Sequence, residues 1–287
     1  MSDFQNKKLI DVEKIINSKN PRLLSVLPKF VLNYIKRILH QDFVNEFIKT
    51  HGDKYNIDFA NRIIEVFGAT VKVTGQEYIP KNGGCIIAAN HPLGGLDGIA
   101  LITSIGEVRK DMKFFANDIL MTIENLRGVF IPVNKHGRHS SENIAEIEKA
   151  YQSDHIIPVF PAGLVSRKQS GEIRDLAWKK SFVTKARQYH RNIIPVYIDG
   201  KNSEFFYNLS LWRKRLGIKA NIEMFYLMDE MYKQKNKTIT LIFGKPIPYQ
   251  VFDDRKHTHT DYEWAQKVKE HVYALHSGDK SKLLIQT

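Results

Sequence analysis

The strongest constraint on the fold is an alternation that runs from residue 69 to residue 275. Short apolar runs bounded by Gly, Pro or Asn are separated by segments whose apolar residues recur at helical spacing. Runs of roughly four to eight apolar or β-branched residues suit strands, whereas recurrence at i, i+3 and i+4 suits helices. Residues 69–74, 85–89, 112–116, 128–133, 156–160, 192–198 and 238–243 read as strands, and 98–106, 117–126, 140–152, 179–190 and 261–275 as helices. Strands that alternate with helices predict an α/β fold, a mixed sheet flanked by helices with some strands parallel. Pro195 lies inside 192–198 and cannot donate to a ladder, so that strand is expected at an edge or at an irregular position.

Residues 1–66 lack the strand signal and read as helical. Between Pro21 and His40, Leu23, Leu24, Leu27, Phe30, Val31, Tyr34, Ile35, Ile38 and Leu39 fall at helical spacing among Arg22, Lys29, Lys36 and Arg37, with Pro28 starting or kinking a helix. Two readings stay open: a basic amphipathic helix in a membrane interface, or a helix packed on the main domain. The expected division is therefore 1–66, helical, and 67–287, an α/β domain. With 287 residues and 43% hydrophobic content the chain can bury a substantial core.

The net charge of +12 favours anionic partners, but the basic residues occur in scattered short groups, without the long basic tail that suits nucleic acid. The single cysteine, Cys85, sits in an apolar run and reads as a small buried residue; no intramolecular disulfide is possible. No uninterrupted apolar stretch reaches the ~18–20 residues that span a bilayer. Met1 to Lys8 is polar, without the apolar core of a signal peptide. The expectation is a peripheral protein at the cytoplasmic face of the inner membrane.

The segment most suited to chemistry is Ala89-Asn90-His91-Pro92-Leu93-Gly94-Gly95-Leu96-Asp97-Gly98, between a strand and a helix. Sites in open α/β sheets collect at such strand ends. A histidine there can take a proton from a hydroxyl near neutral pH, and a carboxylate can fix its tautomer and stabilise the imidazolium. Two glycines allow the loop to bring Asp97 back to His91. No serine suited to be a nucleophile lies nearby, which favours direct attack by a substrate hydroxyl. A glycine-rich turn with a structural histidine is the competing reading of this segment alone.

Four blocks in order carry a resemblance to the glycerolipid (lysophospholipid) acyltransferase superfamily, which includes the 1-acylglycerol-3-phosphate acyltransferases. The His91 segment resembles its Asn-His, four residues, Asp motif, with five residues between His91 and Asp97 instead of four. Its Asn-His-Pro-x-Gly-x-Leu-Asp-Gly form is similar to the bacterial branch that acylates lyso-ornithine and related amino-acid lipids. Gly128-Val129-Phe130-Ile131-Pro132-Val133-Asn134 resembles Gly-x-x-Phe-Ile-x-Arg, with Asn134 where an arginine is common; Lys135, Arg138 and His139 are candidates for the missing charge. Val159-Phe160-Pro161-Ala162-Gly163-Leu164-Val165-Ser166-Arg167 resembles Phe-Pro-Glu-Gly-Thr-Arg-Ser and, more closely, the amino-lipid branch's Phe-Pro-Ala-Gly-Glu-Val-Ser-Arg, with Leu164 in place of its glutamate. Ile193-Ile194-Pro195-Val196-Tyr197 resembles an apolar-Pro-Val strand, and the run from Asp175 to Lys180 also resembles the branch.

The resemblance spans about residues 70–200. It implies a glycerol-3-phosphate acyltransferase-like fold and transfer of a fatty acyl group from acyl carrier protein or coenzyme A to a lysolipid hydroxyl. His91 would be general base, with Asp97 behind it. It implies substrate contacts at Asn90, Gly94, Gly95, Phe130, Ile131, Pro161, Gly163, Ser166, Arg167 and Lys168, with backbone N–H groups near Gly94, Gly95 or Gly163 for the oxyanion. No cofactor or metal is required; the pairs His136/His139 and His257/His259 read as solvated loop histidines. A lyso-ornithine or lyso-glycine lipid is the expected acceptor, lysophosphatidic acid the alternative, and a non-catalytic basic membrane- or nucleic-acid-binding protein the more distant one. A lysolipid lies at a bilayer surface, and Phe205, Phe206, Trp212, Arg213, Lys214 and Arg215 are candidate membrane contacts. A core helix with a solvated charged end is the other reading of that stretch.

Overall fold

The computed structural model describes residues 10–19, 21–133, 141–169, 171–253 and 259–285. Asn134, Lys135, His136, Arg138, His139 and His257 lie outside the described residues.

The chain opens with helices α1 (Val12–Lys19), α2 (Pro21–Val26), α3 (Lys29–Ile38), α4 (Gln41–His51) and α5 (Asn56–Val66). Pro28 is the residue that caps α3, with φ −59° and ψ 141°; its fixed φ breaks the α2 run and starts the next helix. Then follow β1 (Thr70–Thr74), β2 (Cys85–Ala89), α6 (Gly95–Gly106), β3 (Phe114–Ala116), α7 (Asp118–Met121), β4 (Phe130–Pro132), α8 (Ser141–Gln152) and β5 (Ile156–Val159). The chain continues through β6 (Arg167–Gln169), β7 (Glu172–Arg174), α9 (Ser181–Gln188), β8 (Asn192–Asp199), α10 (Glu204–Arg215), α11 (Leu227–Tyr232), β9 (Thr238–Phe243) and α12 (Asp261–Ser277).

Five strands form the main sheet in the order β1-β9-β8-β2-β5. β8 pairs antiparallel with β9; the other pairings are parallel, so the sheet is mixed. β2 is buried at all five positions. Alternation splits it: Cys85, Ile87 and Ala89 join the core beneath α5 and α6, whereas Ile86 and Ala88 face the core beneath α9 and α12. Each isoleucine so buried contributes about 1.5–3 kcal/mol. Burial also pushes the Cys85 thiol up to about 12, as suits a packed residue rather than a nucleophile.

Pro195 occupies an internal strand, not an edge. Its C=O accepts the N–H of Gly244 at 2.8 Å, so its missing N–H points to the β9 side. There the ladder breaks: Val196 pairs with Phe243, and the next contact is the isolated bridge from Ile193 to Ile247. Three residues, 244–246, face two, so the proline costs no ladder bond. β2, β5 and β8 run in the same direction, and their C-terminal ends open on one edge of the sheet.

Candidate active site

β2 ends at Ala89, and Asn90-His91-Pro92 leaves the sheet at that edge. The Asn90 amide pairs with Ile198 on β8: Oδ1 accepts the Ile198 N–H at 2.6 Å, and Nδ2 donates to the Ile198 C=O at 2.9 Å. The Pro92 C=O accepts from Asn202 Nδ2 at 3.1 Å. Gly94, at φ +85°, then turns the chain into α6; a side chain there would be strained.

Asp97 lies in the first turn of α6 and is 0% exposed. Its Oδ2 accepts the N–H of Leu93 at 2.8 Å, the N–H of Gly94 at 3.0 Å and Nδ1–H of His91 at 2.9 Å. The positive end of the helix faces this carboxylate. Burial pushes its pKa upward, and the His91 bond and the two backbone N–H groups oppose that shift. An oxygen that already accepts two N–H groups selects the tautomer with the proton on Nδ1, which leaves the lone pair on Nε2. No described residue bonds Nε2. The ring stacks on Phe160, just past the end of β5, at 4.1 Å between centroids and 20° between planes. The His91 side chain keeps 18% exposure, so an edge of the ring stays accessible.

The other sequence-predicted residues fall into two groups. Pro161, Gly163 and Ser166 lie on the turn after β5, close to His91: Ser166 N–H donates to the His91 C=O at 2.8 Å, and Gly163 has φ +67°. Gly94 lies against Leu227 and Val165, and Gly95 against Met231. Phe130 and Ile131 pack into the core from β4, on opposite sides. Arg167 turns inward. It is 2% exposed and pairs with Glu223 at 3.1 Å, and burial lowers its pKa while Glu223 opposes the shift. Lys168 pairs with Glu204 at 3.2 Å.

The suggested membrane contacts on α10 also divide. Phe205, Trp212, Lys214 and Arg215 face outward. Phe206 and Arg213 do not reach the surface. Phe206 lies under the Arg167 guanidinium, 5.0 Å from it, and Arg213 Nε pairs with Glu223 at 2.8 Å. Their helical spacing from the outward residues puts them on the packed face.

Phe160, Leu227 and Met231 complete the surroundings of the His91 loop. Phe160 stood inside a recognisable block, but the segment around Leu227 carries no local signal, since its contact with residue 94 is made across the fold. Two surface clefts of about 320 and 410 Å³ lie elsewhere, the first beside Thr74, Phe243 and Leu275, the second beside Lys36, His40 and Phe43. Among the described residues no group of three His, Cys, Asp or Glu side chains could hold a metal ion.

What the geometry offers is an oriented imidazole, a buried carboxylate on one nitrogen, and a free lone pair on the other. Such a pair can take a proton from a hydroxyl and return it to a leaving group. The family model described as acyltransferase matches residues 14–278. A lyso-glycine lipid O-acyltransferase of Phocaeicola vulgatus is 46% identical over 268 residues, covering 93% of this chain and 95% of that protein. One of Bacteroides thetaiotaomicron with the same description is 46% identical over 268 residues, covering 93% and 97%. A crystal structure of the 1-acyl-sn-glycerophosphate (LPA) acyltransferase PlsC from Thermotoga maritima is similar at 16% identity and a TM-score of 0.49, covering 94% and 95%.

Proposed function

The chain belongs to the acyltransferase family, and from that premise we propose that it moves a fatty acyl group from an acyl thioester to the hydroxyl of a lyso-glycine lipid. The observation that carries this reading is the 2.9 Å bond from His91 Nδ1 to Asp97 Oδ2 at the open edge of the sheet. The acceptor hydroxyl lies at Nε2. As its oxygen attacks the thioester carbonyl, Nε2 takes the proton and Asp97 stabilises the imidazolium. The tetrahedral intermediate then expels the thiolate, which leaves with the proton from Nε2. The ester bond forms, the C–S bond breaks, and the imidazole is neutral again. The donor is an acyl carrier protein or coenzyme A thioester, and no cofactor takes part.

An acceptor of this kind lies in a bilayer, and the surface offers a place for one. No helix among the described residues is long and apolar enough to cross a membrane. Phe30 is 74% exposed, Trp212 63%, Leu216 69% and Phe225 63%. Tyr226 ties these elements together. Its hydroxyl meets that of Tyr34 on α3 at 2.9 Å, and its ring meets Phe205 on α10 at 5.0 Å. Lys29, Arg37, Lys214 and Arg215 are exposed on the same elements. Aromatic side chains with basic neighbours suit a peripheral site on an anionic leaflet, the cytoplasmic face of the inner membrane.

The test is acyl transfer by purified protein to lyso-glycine lipid, lyso-ornithine lipid and lysophosphatidic acid, each with acyl carrier protein and coenzyme A donors. Lyso-glycine lipid is the expected best acceptor, and His91→Ala is expected to lose roughly 100- to 10,000-fold. Preference for lysophosphatidic acid would overturn the acceptor, and an active His91→Ala the mechanism.

A further inference from the structure

Asp175 joins β7 to the segment before α9 and is 0% exposed. Three donors converge on its carboxylate. Oδ1 accepts the N–H of His91 at 3.2 Å and the hydroxyl of Ser166 at 2.6 Å, and Oδ2 accepts Nε1–H of Trp178 at 2.9 Å. Ser166 closes the ring by donating its own N–H to the His91 C=O at 2.8 Å. The peptide groups on both sides of the His91 Cα are thus fastened by Asp175, 84 residues away in sequence, and by the Ser166 that it holds. Asp175 is itself anchored: its N–H donates to the Tyr273 hydroxyl at 2.8 Å, and its C=O accepts from Lys269 Nζ at 2.7 Å.

We propose that Asp175 is a positioning residue for acyl transfer, which fixes the main chain from which the His91 imidazole projects. The inference rests on His91 as general base. Asp97 holds one nitrogen of the ring and Phe160 holds its face, but neither fixes where the side chain begins. Asp175 does so, through a bond to the His91 N–H and, by way of Ser166, one to its C=O. A buried carboxylate whose oxygens accept only from neutral donors is costly even with Lys269 beside it, and a neutral amide would be cheaper if two acceptor oxygens were not needed. Here they are, because three donors arrive from different directions and an amide has one oxygen. A displacement of about 1 Å at a catalytic group can cost about 100-fold in rate.

Asp175→Asn sets a donor against a donor, whichever way the amide turns. The expected result is a fall in kcat of roughly 10- to 100-fold, with KM for lysolipid and acyl donor within about threefold of the parent. Removing the Trp178 donor in Asp175→Asn/Trp178→Phe lets the one oxygen serve His91 and Ser166, and recovers kcat by about tenfold over the single variant. A purely structural role would lower the thermal midpoint without this rescue. If Asp175→Asn does not fold, Ser166→Ala keeps the backbone bond to His91 and loses only the hydroxyl; a kcat loss of about three- to tenfold at constant KM is expected. Parental kcat in the variant that folds, a change carried by KM alone, or a double variant no faster than the single one overturns the proposal. Activity in His91→Ala marks the base assignment itself as the failure. An inactive His91→Ala beside a fully active Asp175→Asn refutes the positioning role alone.

Discussion

Asp97→Asn separates the charge of Asp97 from its shape. In the parent, Oδ2 serves His91 Nδ1–H and the N–H groups of Leu93 and Gly94, whereas Oδ1 is buried and unpartnered. Three donors point at one site, so the oxygen of an asparagine must occupy it and the NH2 must take the Oδ1 position. The tautomer and the loop are kept, and the negative charge is lost. The imidazolium formed during the proposed transfer would then lack its counter-charge. Charge centres about 4 Å apart, at an effective dielectric of about 20, interact by about 4 kcal/mol. At about 1.4 kcal/mol per factor of ten, kcat is expected to fall about 1,000-fold. KM is expected to stay within about threefold, since the charge matters only once the proton has moved. The NH2 left unpaired where Oδ1 was costs about 1–3 kcal/mol of stability, a decrease of several degrees in thermal midpoint rather than loss of folding. Steady-state acyl transfer followed by mass spectrometry of the product lipid gives kcat and KM. A variant that turns over within about threefold of the parent, or one impaired only in KM, would refute the electrostatic role.

Two further outcomes follow from other parts of the fold. His271 on α12 is 1% exposed, and burial lowers its pKa to about 4 from 6.5, so between those values the unfolded chain binds a proton that the folded chain does not. Stability is therefore expected to be full above pH 6.5 and to fall by up to about 3 kcal/mol as pH drops to about 4, a dependence that urea unfolding should find flattened in His271→Gln; an unchanged slope would contradict it. Phe30→Ser/Trp212→Ser should weaken co-sedimentation with anionic vesicles by more than about tenfold at an unaltered thermal midpoint, because each aromatic contributes about 1.5–3 kcal/mol only when it leaves water; unchanged vesicle binding would place the contact elsewhere.

The sequence announced the strands of the main sheet, where apolar runs were bounded by turn residues, but the strands read at 112–116 and 128–133 shrink to Phe114–Ala116 and Phe130–Pro132, the second because residues 124–129 coil as a 3-10 helix. Residues 85–89 coincide with β2, and 238–243 with β9, because Gly-Gly and Asn-His-Pro, or charged and glycine neighbours, limit those runs. The approach of Asp97 to His91 was also legible, from two glycines within a short loop. Short strands were less so: β6 and β7 have three residues each, too few for a period, and neither was read as a strand. Arg167 resembled a ligand-binding cation because its partner, Glu223, lies 56 residues further on. The contacts of Asp175 with His91 and of Leu227 with Gly94 are likewise made only across the fold. Local pattern determines which residues are polar and which element carries them, but a polar group's partner is chosen by the tertiary fold.

The Asn90 amide has a consequence beyond the site it borders. By answering both the N–H and the C=O of Ile198, the side chain imitates one more peptide unit, so the sheet is sealed at the point where the backbone departs. Aspartate can accept but not donate, and leucine can do neither, so few residues could stand there without opening a seam between β2 and β8. The Asn-His pair thus divides its labour. Its first member belongs to the architecture and its second, on the proposed mechanism, to the reaction, so a descendant that gave up the histidine would be expected to lose the proposed transfer while keeping the asparagine and the fold intact.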